Sequence, residues 1–145
     1  MKRTIKALFL ILTVGLFATS CTETARNEIA VQGTWELYKI EYSDRGKVFN
    51  TDYESNHYYI FNDNYEFIEK EAVGTDYEAI YTGKWHVDED VLILTLAKKT
   101  KKYLIDKASL FTMTLSQENF IMDDGKSCTR ILYFRTTSSD KTENL

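Results

Sequence analysis

The sequence predicts an all-β chain, an antiparallel up-and-down barrel of about eight strands. Two observations carry this. Residues Tyr77–Val87 alternate: Tyr77, Ala79, Tyr81, Gly83, Trp85 and Val87 fall on one face, Glu78, Thr82, Lys84 and His86 on the other, and only Ile80 breaks the pattern. Period two over that length marks a half-buried strand. The second observation is that further Val-, Ile-, Leu-, Thr- and aromatic-rich runs follow one another with turn residues between them, and no apolar stripe of helical period lies among them.

The strands are expected at Gly33–Tyr42, Asn56–Phe61, Tyr65–Glu71, Tyr77–Val87, Val91–Ala97, Lys102–Ser116, Asn119–Met122 and Cys128–Arg135. Asp44-Arg45-Gly46, Asn62-Asp63-Asn64, Asp88-Glu89-Asp90 and Asp124-Gly125 supply hairpin chemistry, because Asn, Asp and Gly tolerate positive φ. Lys102–Ser116 is too long for one straight strand, and Asp106-Lys107 marks a bulge or corner within it. A sheet of this size curls closed, which removes exposed edges. In a barrel with an even number of strands, the first and last strands are antiparallel neighbours. Trp35 is therefore expected beside Arg135, the two sealing one end of the barrel through a guanidinium–indole contact.

The N-terminus carries an export signal. Lys2, Arg3 and Lys6 precede an uncharged, almost wholly apolar run from Ala7 to Phe17, and the small residues Ala18, Thr19 and Ser20 lead into Cys21. That is the layout of a secretory signal peptide over residues 1–20, and it is shorter than the roughly 20 apolar residues of a spanning helix. Ala-Thr-Ser-Cys resembles a lipobox. The resemblance implies cleavage before Cys21, a diacylglycerol on its sulfur and an acylated new N-terminus. Residues 21–30 are then expected to be a polar tether, 31–136 the barrel domain and 137–145 a disordered tail. With Cys21 lipidated, Cys128 has no partner, so no disulfide framework exists.

Charge narrows the function. Three of the 18 basic residues fall in residues 1–20 and none of the 22 acidic ones do, which leaves the mature side chains at −7. This is not the footprint of a nucleic-acid binder, nor of a polybasic membrane-surface protein. Anchoring is left to the lipid, and the place of action is the bacterial cell envelope, at the outer membrane.

Gly33-Thr34-Trp35 opens the first strand, Phe-Asn-Asp-Asn-Tyr-Glu-Phe forms an aromatic hairpin, Gly83-Lys84-Trp85 precedes a turn and a Leu-x-Leu strand, and Tyr133-Phe134-Arg135 closes the pattern. In order and spacing these pieces resemble the lipocalin-like domains of small bacterial lipoproteins. The resemblance covers nearly the whole domain and implies a ligand-binding barrel.

No nucleophile elbow, phosphate loop, dinucleotide fingerprint or Cys-x-x-Cys is present. No catalytic residues, cofactor or metal are assigned, and the protein is expected not to be an enzyme. His86 reads as part of an exposed turn, His57 as a ring packed among tyrosines, and Glu69 with Glu71 as a solvated strand end. The ten tyrosines are the better clue, since each joins an apolar body to a polar tip. Tyr58, Tyr65, Tyr77 and Tyr81 are expected to line a cavity for a small apolar or aromatic ligand. The stretch Ser43–Ser55 is expected to be a lid over the end away from Trp35, with Phe49 and Tyr53 contacting ligand. The alternative is a filled barrel acting as a protein-interaction module, its partner unknown.

Overall fold

A computed structural model describes residues 23–137; Cys21, the preceding signal segment and residues 138–145 lie outside the described residues. The strands are β1 (Gly33–Asp44), β2 (Lys47–Tyr53), β3 (His57–Phe61), β4 (Glu66–Val73), β5 (Asp76–Asp88), β6 (Val91–Leu96), β7 (Thr100–Ala108), β8 (Thr112–Ile121) and β9 (Ser127–Thr136). A short helix, α1, covers residues 23–31.

Each strand from β3 to β9 pairs antiparallel with the next. β1 then pairs with β9 from Trp35↔Thr136 to Ser43↔Thr129 and closes the cylinder. The other edge of β1 is shared. Gly33–Glu36 pair with β3, and Lys39–Asp44 pair with β2. β2 and β3 thus follow one another along a single edge, with a break at residues 54–56, and nine strands occupy eight barrel positions.

The alternation expected from sequence builds the interior. Trp35, Leu37, Phe61, Phe67, Trp85, Val87, Leu92, Leu94, Met113, Leu115, Leu132 and Phe134 form one buried cluster. Burying one such side chain stabilises the fold by about 1.5–3 kcal/mol. Trp85 is packed edge-on to Phe61 and donates its Nε1–H to the Asn62 carbonyl at 2.9 Å. Its neighbours Lys84 and His86 face solvent.

Several expectations change. Residues 21–30 are not a plain tether, because 23–31 are helical. Thr24, Asn27, Glu28 and Val31 share one helical face. The Glu89 N–H donates to Thr24 Oγ1 at 3.1 Å, Asn27 donates to the Glu89 carbonyl at 2.7 Å, and Tyr65 donates to Glu28. Val31 is buried and its carbonyl accepts from Trp35 Nε1 at 2.8 Å. The face that docks is mostly polar, so a search for apolar periodicity passes over it. Ser43–Ser55 is not a loop: Arg45 and Gly46, both at positive φ, form a tight turn into β2. Lys102–Ser116 is two strands joined at residues 109–111, with the expected bulge at Asp106. Asn119–Met122 continues β8 beyond a second bulge. In the first aromatic hairpin the residue at positive φ is Tyr65, not an Asn.

Gly83 faces Leu96 across β5 and β6, and a Cβ built on it would lie 2.3 Å from the Thr95 carbonyl oxygen. Backbone cannot yield as a side-chain end can. Gly83→Ala should therefore destabilise the barrel by about 1–3 kcal/mol, read as a lower urea midpoint with an unchanged slope.

Candidate functional site

The two halves of the barrel interior differ in chemistry. One end holds the start of β1, the β3–β4 and β5–β6 turns and the end of β9, and α1 lies across it. Trp35, Trp85, Phe61 and Phe67 fill the interior there. Towards the other end, the mouth, the inward positions become polar. β3 contributes His57, β4 Glu69, β7 Lys101 and Tyr103, and β9 Arg130.

His57 and Glu69 form a buried pair. Nε2 lies 2.8 Å from Glu69 Oε1, and Nδ1 lies 3.4 Å from both Glu54 and Glu71 carboxylates. Glu69 is only 6% exposed, so the expected solvated strand end is a buried carboxylate hydrogen-bonded to His57 instead. Burial opposes the His57 imidazolium, but Glu69, Glu54 and Glu71 together outweigh it and raise the pKa. The ring also packs on Tyr59, with centroids 5.6 Å apart.

The cations nearby are less well served. Arg130 donates from Nη2 to Gln117 at 2.9 Å and its guanidinium lies 4.2 Å from the Phe120 ring centroid, but its buried Nε has no acceptor. Tyr103 is 1% exposed, and its hydroxyl lies against the Arg130 guanidinium without making a hydrogen bond of ordinary geometry. Burial raises the Tyr103 pKa, and the nearby Arg130 charge holds that rise back. Lys101 lies 4.9 Å from the Tyr81 ring centroid, and burial lowers its pKa. Among the described residues no carboxylate stands within ion-pair distance of Arg130 or Lys101. The mouth therefore carries two cations without a carboxylate within ion-pair distance, and one guanidinium N–H and one phenol hydroxyl without an acceptor.

The expected tyrosine lining is brought together only in part. Tyr81 faces the mouth beside Lys99 and Lys101. Tyr77 does not, because Ile80 bulges out where β5 pairs with β4: Tyr81 stands opposite Glu69, but Ala79 stands opposite Lys70. One extra residue moves everything before it to the other face. Tyr77 lies outside, edge-on to Tyr58 at 5.5 Å, and Tyr58 alternates outward from His57 and Tyr59. Tyr65 sits in the β3–β4 turn at the closed end, on Trp85. Phe49 lines a surface cleft of about 450 Å³ with Asp44, Lys47, Lys126 and Ser127, and Tyr53 is 80% exposed. Arg135 does not stack on Trp35. Trp35 points inward, while Arg135 on the outer face donates to Glu36 at 3.1 Å and lies over Tyr38. Sequence reasoning passed over Lys101, Tyr103 and Arg130. The available signal was a polar residue at every second position of strands otherwise apolar inside.

The sequence profile of the lipocalin-like domain matches residues 31–122. The chain belongs to the lipocalin-like domain family. No curated protein is similar enough to this lipocalin-like chain to count as a relative. An uncharacterized protein from Bacteroides eggerthii has a similar crystal structure, with a TM-score of 0.54 at 16% identity, over 73% of this chain and 98% of that one. A deswapped triple mutant of bovine odorant binding protein aligns with a TM-score of 0.44 at 13% identity, over 79% of this chain and 80% of that one.

The His57 pair makes stability depend on pH. Its folded pKa lies above the unfolded value, about 6.5, so its contribution is complete below that pH and is lost as pH rises through the folded pKa. The melting temperature should fall from about pH 6 to pH 8, and His57→Gln should flatten that fall. An equal slope in the variant would contradict the pairing.

Proposed function

We propose that this protein is a lipid-anchored binding module of the bacterial cell envelope that takes a small organic anion into the mouth of its barrel. A lipocalin-like barrel suits a small-ligand module, and the single observation that carries the anionic reading is the unpartnered Arg130 Nε and Tyr103 hydroxyl. Buried polar groups without partners cost about 1–3 kcal/mol each. A ligand carboxylate or sulfonate would accept from both and would sit near Lys101, which burial already disfavours as a cation.

The apolar half of the interior is occupied by Trp35, Trp85, Phe61 and Phe67, so the ligand is short. Its apolar or aromatic body meets the rings at the mouth: Tyr81 beside Lys101, and Tyr42, which is tilted on Phe120 at 6.1 Å. The anchor is the lipid on Cys21, at the outer membrane. The reading assigns no chemistry beyond binding.

The test uses a pair of fluorescent probes, the anion 8-anilinonaphthalene-1-sulfonate and its neutral relative N-phenyl-1-naphthylamine. The sulfonate should bind the folded protein more tightly. Arg130→Gln removes the charge while keeping a hydrogen-bonding side chain, and should raise the sulfonate Kd about tenfold, since a charged hydrogen bond is worth about 1.5–3 kcal/mol. The neutral probe should be unaffected. Equal loss for both probes would reduce Arg130 to a packing role and overturn the anionic reading.

A further inference from the structure

The closed end of the barrel carries apolar side chains that the binding reading does not use. Ile29 on α1 is 74% exposed, and Leu110 and Phe111 in the β7–β8 turn are 83% and 71% exposed. Ile29 and Leu110 line one cleft of about 360 Å³, together with Ala30, Trp35 and Arg26.

The turn is firmly held. Ser109 N–H donates to the Thr112 carbonyl at 2.9 Å, and Ser109 Oγ accepts from the Thr112 N–H at 3.2 Å. The Phe111 carbonyl accepts from the Thr136 N–H at 3.0 Å. Turn tips ordinarily carry Gly, Asn, Asp or Ser, whose side chains cost nothing in water. Here a pinned turn presents Leu and Phe outward, beside an exposed Ile on a docked helix. Exposed apolar side chains gathered at one end of a domain mark a partner or a membrane.

Where the chain leads decides between them. Thr24 is tied to the β5–β6 turn by the Glu89 N–H. Cys21 lies three residues before Thr24 in the sequence. Three extended residues span at most about 11 Å. A lipid on Cys21 must therefore enter its bilayer close to this end of the barrel. The mouth also exposes a ring, Phe49, but the tether from Thr24 does not lead there.

We propose that the closed end is a membrane-docking face: Ile29, Leu110 and Phe111 enter the headgroup region of the bilayer that holds the Cys21 lipid, and the barrel stands with its mouth away from that surface. The inference rests on the lipid at Cys21 from the reading above and is independent of the anion site. Acyl chains alone leave a tethered domain free to tumble; three apolar contacts beside the tether fix its orientation. A fixed orientation keeps the mouth open to the aqueous side.

The experiment uses the full chain, matured in a lipoprotein-competent bacterium and reconstituted in phosphatidylcholine nanodiscs with or without brominated acyl chains. Phe111→Trp reports the closed end and Tyr53→Trp, opposite Lys39 of β1, the wall at mid-height, each corrected for the emission of Trp35 and Trp85 in the unsubstituted protein. Bromolipid should quench the added indole of Phe111→Trp about twofold, as expected for a ring at interfacial depth, and leave that of Tyr53→Trp unchanged. Equal quenching, stronger quenching at Tyr53→Trp or none at either position overturns the docking. The mass of the mature chain separates this result from the anchor. A lipidated Cys21 without quenching at Phe111→Trp sinks the docking face and leaves the anchor standing. Quenching at Phe111→Trp with an unmodified Cys21 supports the docking face and removes the anchor from the functional reading.

Discussion

Closure between β1 and β9 is the constraint on which the rest of the structure depends. Among the described residues β1 alone has three partner strands: β9 along one edge, β2 and β3 in succession along the other. Without the β9 pairing, the sheet would be open and both faces of its strands would meet solvent. With it, every second residue is committed to a closed interior. The one interruption of that ladder, at Tyr38 between Leu37 and Lys39, leaves Tyr38 as the extra residue, beside Tyr133 on the outer wall. There a half-buried ladder forms: Arg135 to Glu36, Lys39 over the Tyr133 ring, and the Tyr133 hydroxyl donating to Glu41 at 2.7 Å. Burial and that bond push the Tyr133 pKa up to about 12.

Once inside and outside are set, the interior divides along its length. The closed half is a packed aromatic and aliphatic core that accounts for stability. The mouth half departs from that rule. A core built only for stability would neutralise Arg130 and Lys101 with carboxylates or replace them with apolar residues, because a half-buried charge without a counter-ion is costly. Glu69 is the buried carboxylate at hand, and it is engaged by His57. The result is a pair of cations on inward positions in a domain whose side chains sum to −7 once residues 1–20 are set aside. Local consistency usually fails at functional sites, and this is the place in the barrel where it fails most clearly.

Much of the fold was legible in the sequence because a half-buried strand writes its burial in period two. Trp85 inside with Lys84 and His86 outside follows directly from that alternation. What misled was a shift of a single residue. Ile80 stood out in the sequence as the break in the pattern, yet its consequence, that Tyr77 changes face, needs the register with β4 to be seen. Helix α1 was missed for a different reason: of its docking face, Thr24, Asn27 and Glu28 are held by hydrogen bonds and only Val31 by apolar burial. The site residues were harder still. A polar residue on an inward position reads from sequence as a solvated strand end, and the closed barrel is what turns Glu69 and Arg130 into interior groups.

Native mass spectrometry of the full chain purified from its own host reads whether the mouth holds a small anion. The unsubstituted protein should show a population carrying an added small acid, and Arg130→Gln should lose it. An unsubstituted protein that emerges without any added mass, or a bound neutral molecule retained in Arg130→Gln, would contradict the anionic reading.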